Sequence, residues 1–153
     1  MRLTEIVATK RGTYVGLRVL DPGTDMLRTF IHEHAIPYKM HDKERRKHVT
    51  LIYSRTHCPH IVRSKEVHRV KPVHFEVFST QSGKRALVLL LSAPTVAARH
   101  RQLMSLHPLT YDFPHFKAHV TLSYDIGDFD HGALPPFKED LFLGDEYIQE
   151  LKP

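Results

Sequence analysis

Apolar and polar residues alternate along residues 13–20, and this alternation predicts the first strand of the chain. Val15, Leu17 and Val19 form its apolar face, so that Tyr14 points to the other side. A turn, Asp21-Pro22-Gly23, follows the strand. The strand therefore has one apolar face that can pack in a core and one face that is available for a binding or catalytic site.

A helical pattern comes next. Thr24 or Asp25 is placed to cap a helix that runs to about residue 34. Apolar residues recur along it at helical spacing and predict one buried stripe: Met26, Leu27, Phe30 and Ile31. The same reasoning predicts strands at 73–78, 86–92 and 141–151, and a helix at about 94–106.

With a further strand that begins at His48 and another at His119, the predicted order is β-α-β-β, written twice. Two such units pack most simply as an α+β fold with two lobes, helices outside and a cleft between the lobes. We expect one domain over residues 1–153, built from pseudo-repeats at about 12–80 and 84–151.

The duplication is visible in the residues themselves. His48-Val49-Thr50-Leu51-Ile52-Tyr53 returns as His119-Val120-Thr121-Leu122-Ser123-Tyr124, with five of six positions identical. In a regular strand, alternate side chains share a face. His48, Thr50 and Ile52 should then face the cleft, with His119, Thr121 and Ser123 opposite them. Val49, Leu51 and Tyr53, like Val120, Leu122 and Tyr124, should be core residues.

Two imidazoles and two hydroxyls directed at one spot suit phosphoryl transfer. A neutral His can take a proton from an attacking hydroxyl, and a protonated His can give one to the leaving oxygen. The hydroxyls of Thr50 and Thr121 can donate to the phosphate oxygens as charge develops there. Because the two motifs are nearly symmetric, the sequence leaves open which of His48 and His119 is the base.

Composition and charge indicate which class of ligand the protein binds and where in the cell it acts. The formal net charge is +5 with the 13 His neutral, which favours an anionic partner such as a nucleotide. The single cysteine, Cys58, rules out an internal disulfide and fits a reducing compartment. No apolar run reaches membrane-spanning length, and the N-terminus lacks the apolar stretch of a secretory signal. We expect a cytoplasmic protein without a membrane partner or an obligate protein partner.

A metal site is not expected. His57-Cys58-Pro59-His60 invites a zinc interpretation, but companion ligands at standard spacing are missing. The two histidines, two threonines and nearby cations supply the electrostatics that a metal would otherwise provide. We therefore predict chemistry with no cofactor.

The paired His-x-Thr motifs resemble the 2H phosphoesterase superfamily, which implies a bilobal fold with His48, Thr50, His119 and Thr121 as the catalytic set. Within it, the chain is most similar to the phage anti-CBASS nucleases, through residues 12–19, the His-Val-Thr-Leu-x-Tyr pattern and Gly144-Asp145-Glu146. The resemblance implies metal-free cleavage of cyclic di- and trinucleotides to linear products, in the host cytoplasm for a phage-encoded protein.

The resemblance also implies substrate-binding residues. Tyr14 matches an aromatic that stacks on a base, and Glu146 matches an acidic residue that contacts one. The aromatic that usually follows this acidic residue, most often Trp, is absent, and the chain has no Trp. From the strand pattern, Arg18 shares the face of Tyr14 and is a candidate for phosphate contact. Lys117 shares the parity of His119 and is a candidate substrate-binding residue of the cleft.

Two other functions remain open from the sequence. One is an RNA-end 2′,3′-cyclic phosphodiesterase or 2′–5′ RNA ligase-like enzyme, which would use the same site on RNA ends. The other is a non-catalytic sponge that only sequesters cyclic nucleotides.

Overall fold

The computed structural model describes residues 11–40, 46–80, 82–111 and 115–151. In chain order the strands and helices are β1 (Gly12–Val19), α1 (Gly23–Glu33), β2 (His48–Ser54), β3 (His68–Ser79), β4 (Arg85–Ser92), α2 (Pro94–Leu106), β5 (His119–Ser123) and β6 (Leu141–Leu151). This order is the predicted β-α-β-β unit, twice. A short 3-10 turn, His131–Ala133, precedes β6.

The strands form one six-stranded antiparallel sheet in the order β2-β1-β6-β3-β4-β5. The first and last strands of this order, β2 and β5, nevertheless contact each other. The Lys47 Nζ atom, just before β2, donates a hydrogen bond of 3.3 Å to the Leu122 carbonyl of β5. The α+β class is thus confirmed, and the two strands that carry the repeated motif are brought together.

Both helices pack on one side of the sheet. α1 buries Leu27, Phe30 and Ile31 of its predicted stripe in the core cluster that also contains Val15 and Leu17 of β1, while Met26 is partly buried. α2 buries Val96, His100 and Leu103, one residue per helical turn. The opposite face of β1 and β2 is therefore free of helices and carries the polar half of the motif.

The predicted cap of α1 is wrong. Its N-cap residue is Pro22, and no side chain caps the helix. Thr24 instead donates from Oγ1 to the Val19 carbonyl at 3.2 Å and accepts from the Lys47 backbone N–H at 3.3 Å. The hydroxyl thereby joins the end of β1 to the residue that precedes His48.

Each motif strand contains a β-bulge that the alternation did not predict. In β2, Thr50 pairs with Gly16 and Ile52 with Val15, so that Leu51 has no partner in the register. In β5, Thr121 pairs with Val88 and Ser123 with Leu87, which leaves out Leu122 in the same way. An extra residue in one strand reverses which face the following side chains take.

The reversal corrects the predicted faces beyond each bulge. Ile52 and Ser123, expected at the cleft, are completely buried. Tyr53, expected in the core, is 51% exposed and pairs with Tyr14. Tyr124 is half-buried immediately after β5. The part of the motif before the bulge keeps its predicted arrangement, since Val49, Leu51, Val120 and Leu122 are all buried.

A third irregularity occurs in β6. Gly16 pairs with Tyr147, and Arg18 pairs with Gly144. The segment of β6 between these pairs is therefore one residue longer than the segment of β1 that it faces. Asp145 adopts a left-handed φ of 47° at this point, a conformation that aspartate tolerates better than most residues. The bulge separates Tyr147, on the helix-free face, from Glu146, on the helix side.

Candidate active site

The first half of the candidate site comes from paired positions on β1 and β2. Arg18 lies opposite His48, Gly16 opposite Thr50, and Tyr14 opposite Tyr53. Paired residues of an antiparallel ladder point to the same side of the sheet. The structure therefore brings together His48, Thr50, Tyr14 and Arg18, four of the residues singled out from the sequence.

Tyr14 is the centre of this half. Its hydroxyl forms a 3.0 Å hydrogen bond with Thr50 Oγ1, and its ring meets the rings of His48 and Tyr53 edge-on. The residue is only 8% exposed. Burial raises the pKa of the Tyr14 phenol and Tyr147 adds to the rise, while the bond to Thr50 opposes it. Tyr14 is thus a neutral phenol that orients the motif threonine.

Gly16 makes room for the aromatic residues on this face. A Cβ atom at position 16 would lie 2.7 Å from Tyr147 Cζ and 2.9 Å from Tyr14 Cε1, closer than carbon atoms approach without a shift. The two rings have their centres 5.8 Å apart across this space. Only glycine lets the Tyr147 ring lie over β1 in this position.

Arg18 is held by two contacts from β6. Its guanidinium carbon lies 4.1 Å from the centre of the Tyr147 ring, and its Nη1 donates to the Asp145 carbonyl at 2.9 Å. Arg46 pairs with the Asp145 carboxylate at 3.2 Å. The site therefore has a cation fixed next to His48, where a phosphate group would be attracted.

The second half of the site comes from β5. His119 Nδ1 lies 2.8 Å from the Lys117 carbonyl. Because a carbonyl only accepts, Nδ1 carries the proton, and the lone pair of a neutral ring is then on Nε2. The ring of Phe78 meets His119 edge-on, with centres 5.1 Å apart. The imidazole is thus fixed in both tautomer and orientation.

The two motif histidines influence each other electrostatically. Burial lowers the pKa of His119, the hydrogen bond to Lys117 opposes this, and the neighbouring His48 lowers it further. The lowered pKa favours the neutral form of His119. Tyr124 makes a smaller contribution to the raised pKa of the Tyr14 phenol.

Each bulge leaves a carbonyl outside the strand ladder, and a buried side chain from elsewhere in the chain bonds to it. His100 Nδ1 of α2 lies 2.8 Å from the Leu51 carbonyl, and Lys47 Nζ lies 3.3 Å from the Leu122 carbonyl. Because a carbonyl only accepts, His100 Nδ1 carries the proton of this bond. Burial lowers the pKa of His100, and the bond to Leu51 opposes this. Each motif strand is thus held by a side chain from the other half of the chain.

Glu146 is not brought into this group. Its buried carboxylate pairs with Arg99 of α2 at 2.8 Å and accepts from the Ser64 backbone N–H at 2.8 Å. The bulge at Asp145 is the reason, because it turns Glu146 toward the helices. Lys117 is exposed, and its carbonyl is the part that bonds to His119.

Within the part of the chain that the structure describes, no group of three or more His, Cys, Asp or Glu side chains is arranged to hold a metal ion. No helix among the described residues is long and apolar enough to span a membrane.

The residues that the sequence did not reveal are Tyr147, Tyr53, His100 and Lys47. The face that Tyr53 and Tyr147 take depends on the bulges in β2 and β6. No residue type in these strands predicts a bulge. His100 and Lys47 act on carbonyls distant in sequence. The one feature of the sequence that bears on these contacts is the duplicated motif, because it makes Leu51 and Leu122 equivalent positions.

The chain is thus an α+β protein with a duplicated His-x-Thr motif on two strands that contact each other. Residues 11–153 match the model of the family described as "Anti-CBASS protein Acb1". The chain belongs to this family, which confirms the family expected from the repeated motif.

Phage proteins named "Anti-CBASS protein Acb1" are similar along much of the chain. The protein of Acinetobacter phage Ac42 is 34% identical over 128 residues, 83% of this chain and 80% of the relative. That of Vibrio phage KVP40 is 32% identical over 99% of this chain and 94% of the relative. That of Enterobacteria phage T4 is 36% identical over 52% of this chain and 51% of the relative.

Proposed function

We propose that this protein is a metal-independent phosphodiesterase that hydrolyses the 3′–5′ bonds of cyclic di- and trinucleotides to linear products, and so counteracts CBASS immunity. The observation that carries the proposal is the pair of His-x-Thr strands in contact with each other. The names of the phage relatives supply the biological role. The same pairing supports a bilobal 2H phosphoesterase arrangement within a single domain.

We assign the role of base to His119 and the role of acid to His48. His119, with its lowered pKa and its Nδ1 proton held by the Lys117 carbonyl, takes the proton of a ribose 2′-hydroxyl on Nε2. The hydroxyl oxygen attacks the adjacent phosphorus. His48 gives a proton to the departing 5′ oxygen, which leaves a 2′,3′-cyclic phosphate. Water then opens this phosphate to a 3′-phosphate with the two roles reversed.

Thr50, Thr121 and Arg18 stabilise the charge that builds on the phosphate oxygens. The hydrogen bond between the Tyr14 and Thr50 hydroxyls fixes the position of the Thr50 hydroxyl before substrate binds. Donors that are already in place do not have to reorganise during the reaction, and this is where such groups contribute most. The guanidinium of Arg18, held by Tyr147 and Asp145, adds a fixed positive charge.

Mass spectrometry of the products from a panel of cyclic di- and trinucleotides tests the function. We expect linear products that end in a 3′-phosphate, at a rate unchanged by a chelator. Recovery of every cyclic nucleotide intact would contradict the proposal and favour the sponge. Cleavage only of RNA that ends in a 2′,3′-cyclic phosphate would favour the RNA-end enzyme.

A further inference from the structure

We propose that Tyr53 is the residue on which a nucleobase of the ligand stacks. The inference rests on the proposed function, because it assigns a binding role within the same site. It gives that site an open aromatic surface for the base, next to the groups that act on the phosphate.

The bulge at Leu51 is what makes Tyr53 available. Without it, Tyr53 would follow Val49 and Leu51 into the core. With it, Tyr53 lies on the face of His48 and Thr50, directly opposite Tyr14. His100 secures this arrangement through its 2.8 Å bond to the Leu51 carbonyl.

Tyr53 is far more exposed than Tyr14, the aromatic residue that pairs with it on β1. Tyr53 is 51% exposed, whereas Tyr14 is 8% exposed and has rings on several sides. A base needs an accessible ring face. Tyr14 supports the site from within and contacts the exposed ring of Tyr53 edge-on, at 6.3 Å between centres.

The spacing fits one nucleotide. Thr50 and Tyr53 are neighbouring positions on the same face of β2, with the bulge between them, and so lie within about 10 Å of each other along the strand. A base attached to a phosphate beside Thr50 reaches this distance. The ligand class is therefore a nucleotide whose base is a planar ring, and stacking on tyrosine tolerates any of the bases.

The absence of tryptophan from the chain permits a direct test of binding. Tyr53→Trp introduces a single indole, whose fluorescence a stacked base quenches. The matched control is Tyr38→Trp, because Tyr38 is 49% exposed but lies over Lys47 Nζ and beside the end of α1. Adenosine 5′-monophosphate should quench Tyr53→Trp and leave Tyr38→Trp unchanged. Ribose 5-phosphate, which has no base, should quench neither.

Kinetics with the cyclic nucleotide that is cleaved best give a second test. Tyr53→Leu keeps an apolar side chain but loses the flat ring, so KM should rise about five- to a hundredfold with kcat largely kept. Tyr53→Phe should resemble the wild type. Circular dichroism and thermal melting establish that each variant is folded.

The outcomes separate this inference from the function on which it rests. Cleavage by the wild type, with an unchanged KM for Tyr53→Leu and no quenching of Tyr53→Trp, would overturn the role of Tyr53 and leave the function standing. Base-dependent quenching of Tyr53→Trp by a protein that cleaves no cyclic nucleotide would support the stacking role and refute the enzyme.

Discussion

Lys47 Nζ and the Leu122 carbonyl are joined by a 3.3 Å hydrogen bond that runs between the two motif strands. Lys47 is 1% exposed and immediately precedes His48, and Leu122 immediately follows Thr121. The bond therefore connects the backbone of one His-x-Thr segment to that of the other. We therefore expect it to help set how closely β2 and β5 approach.

Replacing Lys47 by Met should separate the two halves of the site. The Leu122 carbonyl loses this buried donor, which costs about 1–3 kcal/mol of unfolding free energy. Because the effect falls on the relative position of His48 and His119, kcat should fall more than KM rises. Denaturant titration and steady-state kinetics measure the two effects. Lys47→Arg keeps a charged donor and should retain more of kcat; equal kcat in the Met and Arg variants would contradict a positioning role.

Gly16→Ala should disturb the site without removing any catalytic group. The new methyl group displaces the rings of Tyr147 and Tyr14, and with them the bond to Thr50. A shift of about 1 Å in a reacting group can cost on the order of a hundredfold in rate. The measurement is kcat/KM for Gly16→Ala in the wild type and in a Tyr147→Ala background.

The Tyr147→Ala background serves as the control for the effect of Gly16→Ala. With the Tyr147 ring gone, the two shortest contacts of the added methyl disappear and the contact with Tyr14 remains, so the methyl should cost less than in the wild type. Equal losses in both backgrounds would show that the contact with Tyr147 is not the cause.

Arg99→Met should destabilise the fold strongly. It leaves the carboxylate of Glu146, whose side chain is completely buried, without its charged partner. Breaking a buried ion pair from one side costs about 3–5 kcal/mol, or roughly 6–20 °C in melting temperature for a chain of this size. Arg69→Met is the matched control, since Arg69 pairs with Asp140 at the surface and should cost at most about 1 kcal/mol. Similar melting temperatures for the two variants would refute the structural role of Glu146.

The pH profile of kcat/KM should reflect the lowered pKa of His119. A base whose pKa lies below the ordinary 6.5 stays deprotonated to lower pH, so the rising limb should have its midpoint below 6.5. The activity gained on this limb is present above the midpoint and lost as pH falls through it. Circular dichroism across the same range serves as the control for folding. A midpoint above 6.5 would contradict His119 as the base.

Much of the fold could be predicted because the local patterns agree with it. The alternation in β1, the stripe of α1 and the duplicated motif predicted the order of elements and the faces of His48, Thr50, His119 and Thr121. In each case the pattern depends on neighbours only a few residues apart, and such neighbours are visible in the sequence.

The bulges could not be predicted, because strand alternation assumes a regular ladder. Leu51 and Leu122 are ordinary strand residues, and what distinguishes them is the distant donor that bonds each carbonyl. The same limit applies to Glu146, whose partner Arg99 lies on another element. Tertiary contacts of this kind decide which face the residues after the bulge take, and so decide the role of Tyr53.

The central claim is that His48 and His119 act together on one phosphodiester. It is tested most directly by the single-turnover cleavage rate of a cyclic nucleotide by His48→Ala, His119→Ala and the double variant. Each single variant should lose about a hundred- to ten-thousandfold in rate while it still binds the ligand. The double variant should be little worse than either, because the residues act as a unit. A rate within about tenfold of the wild type for either single variant would contradict the two-histidine site.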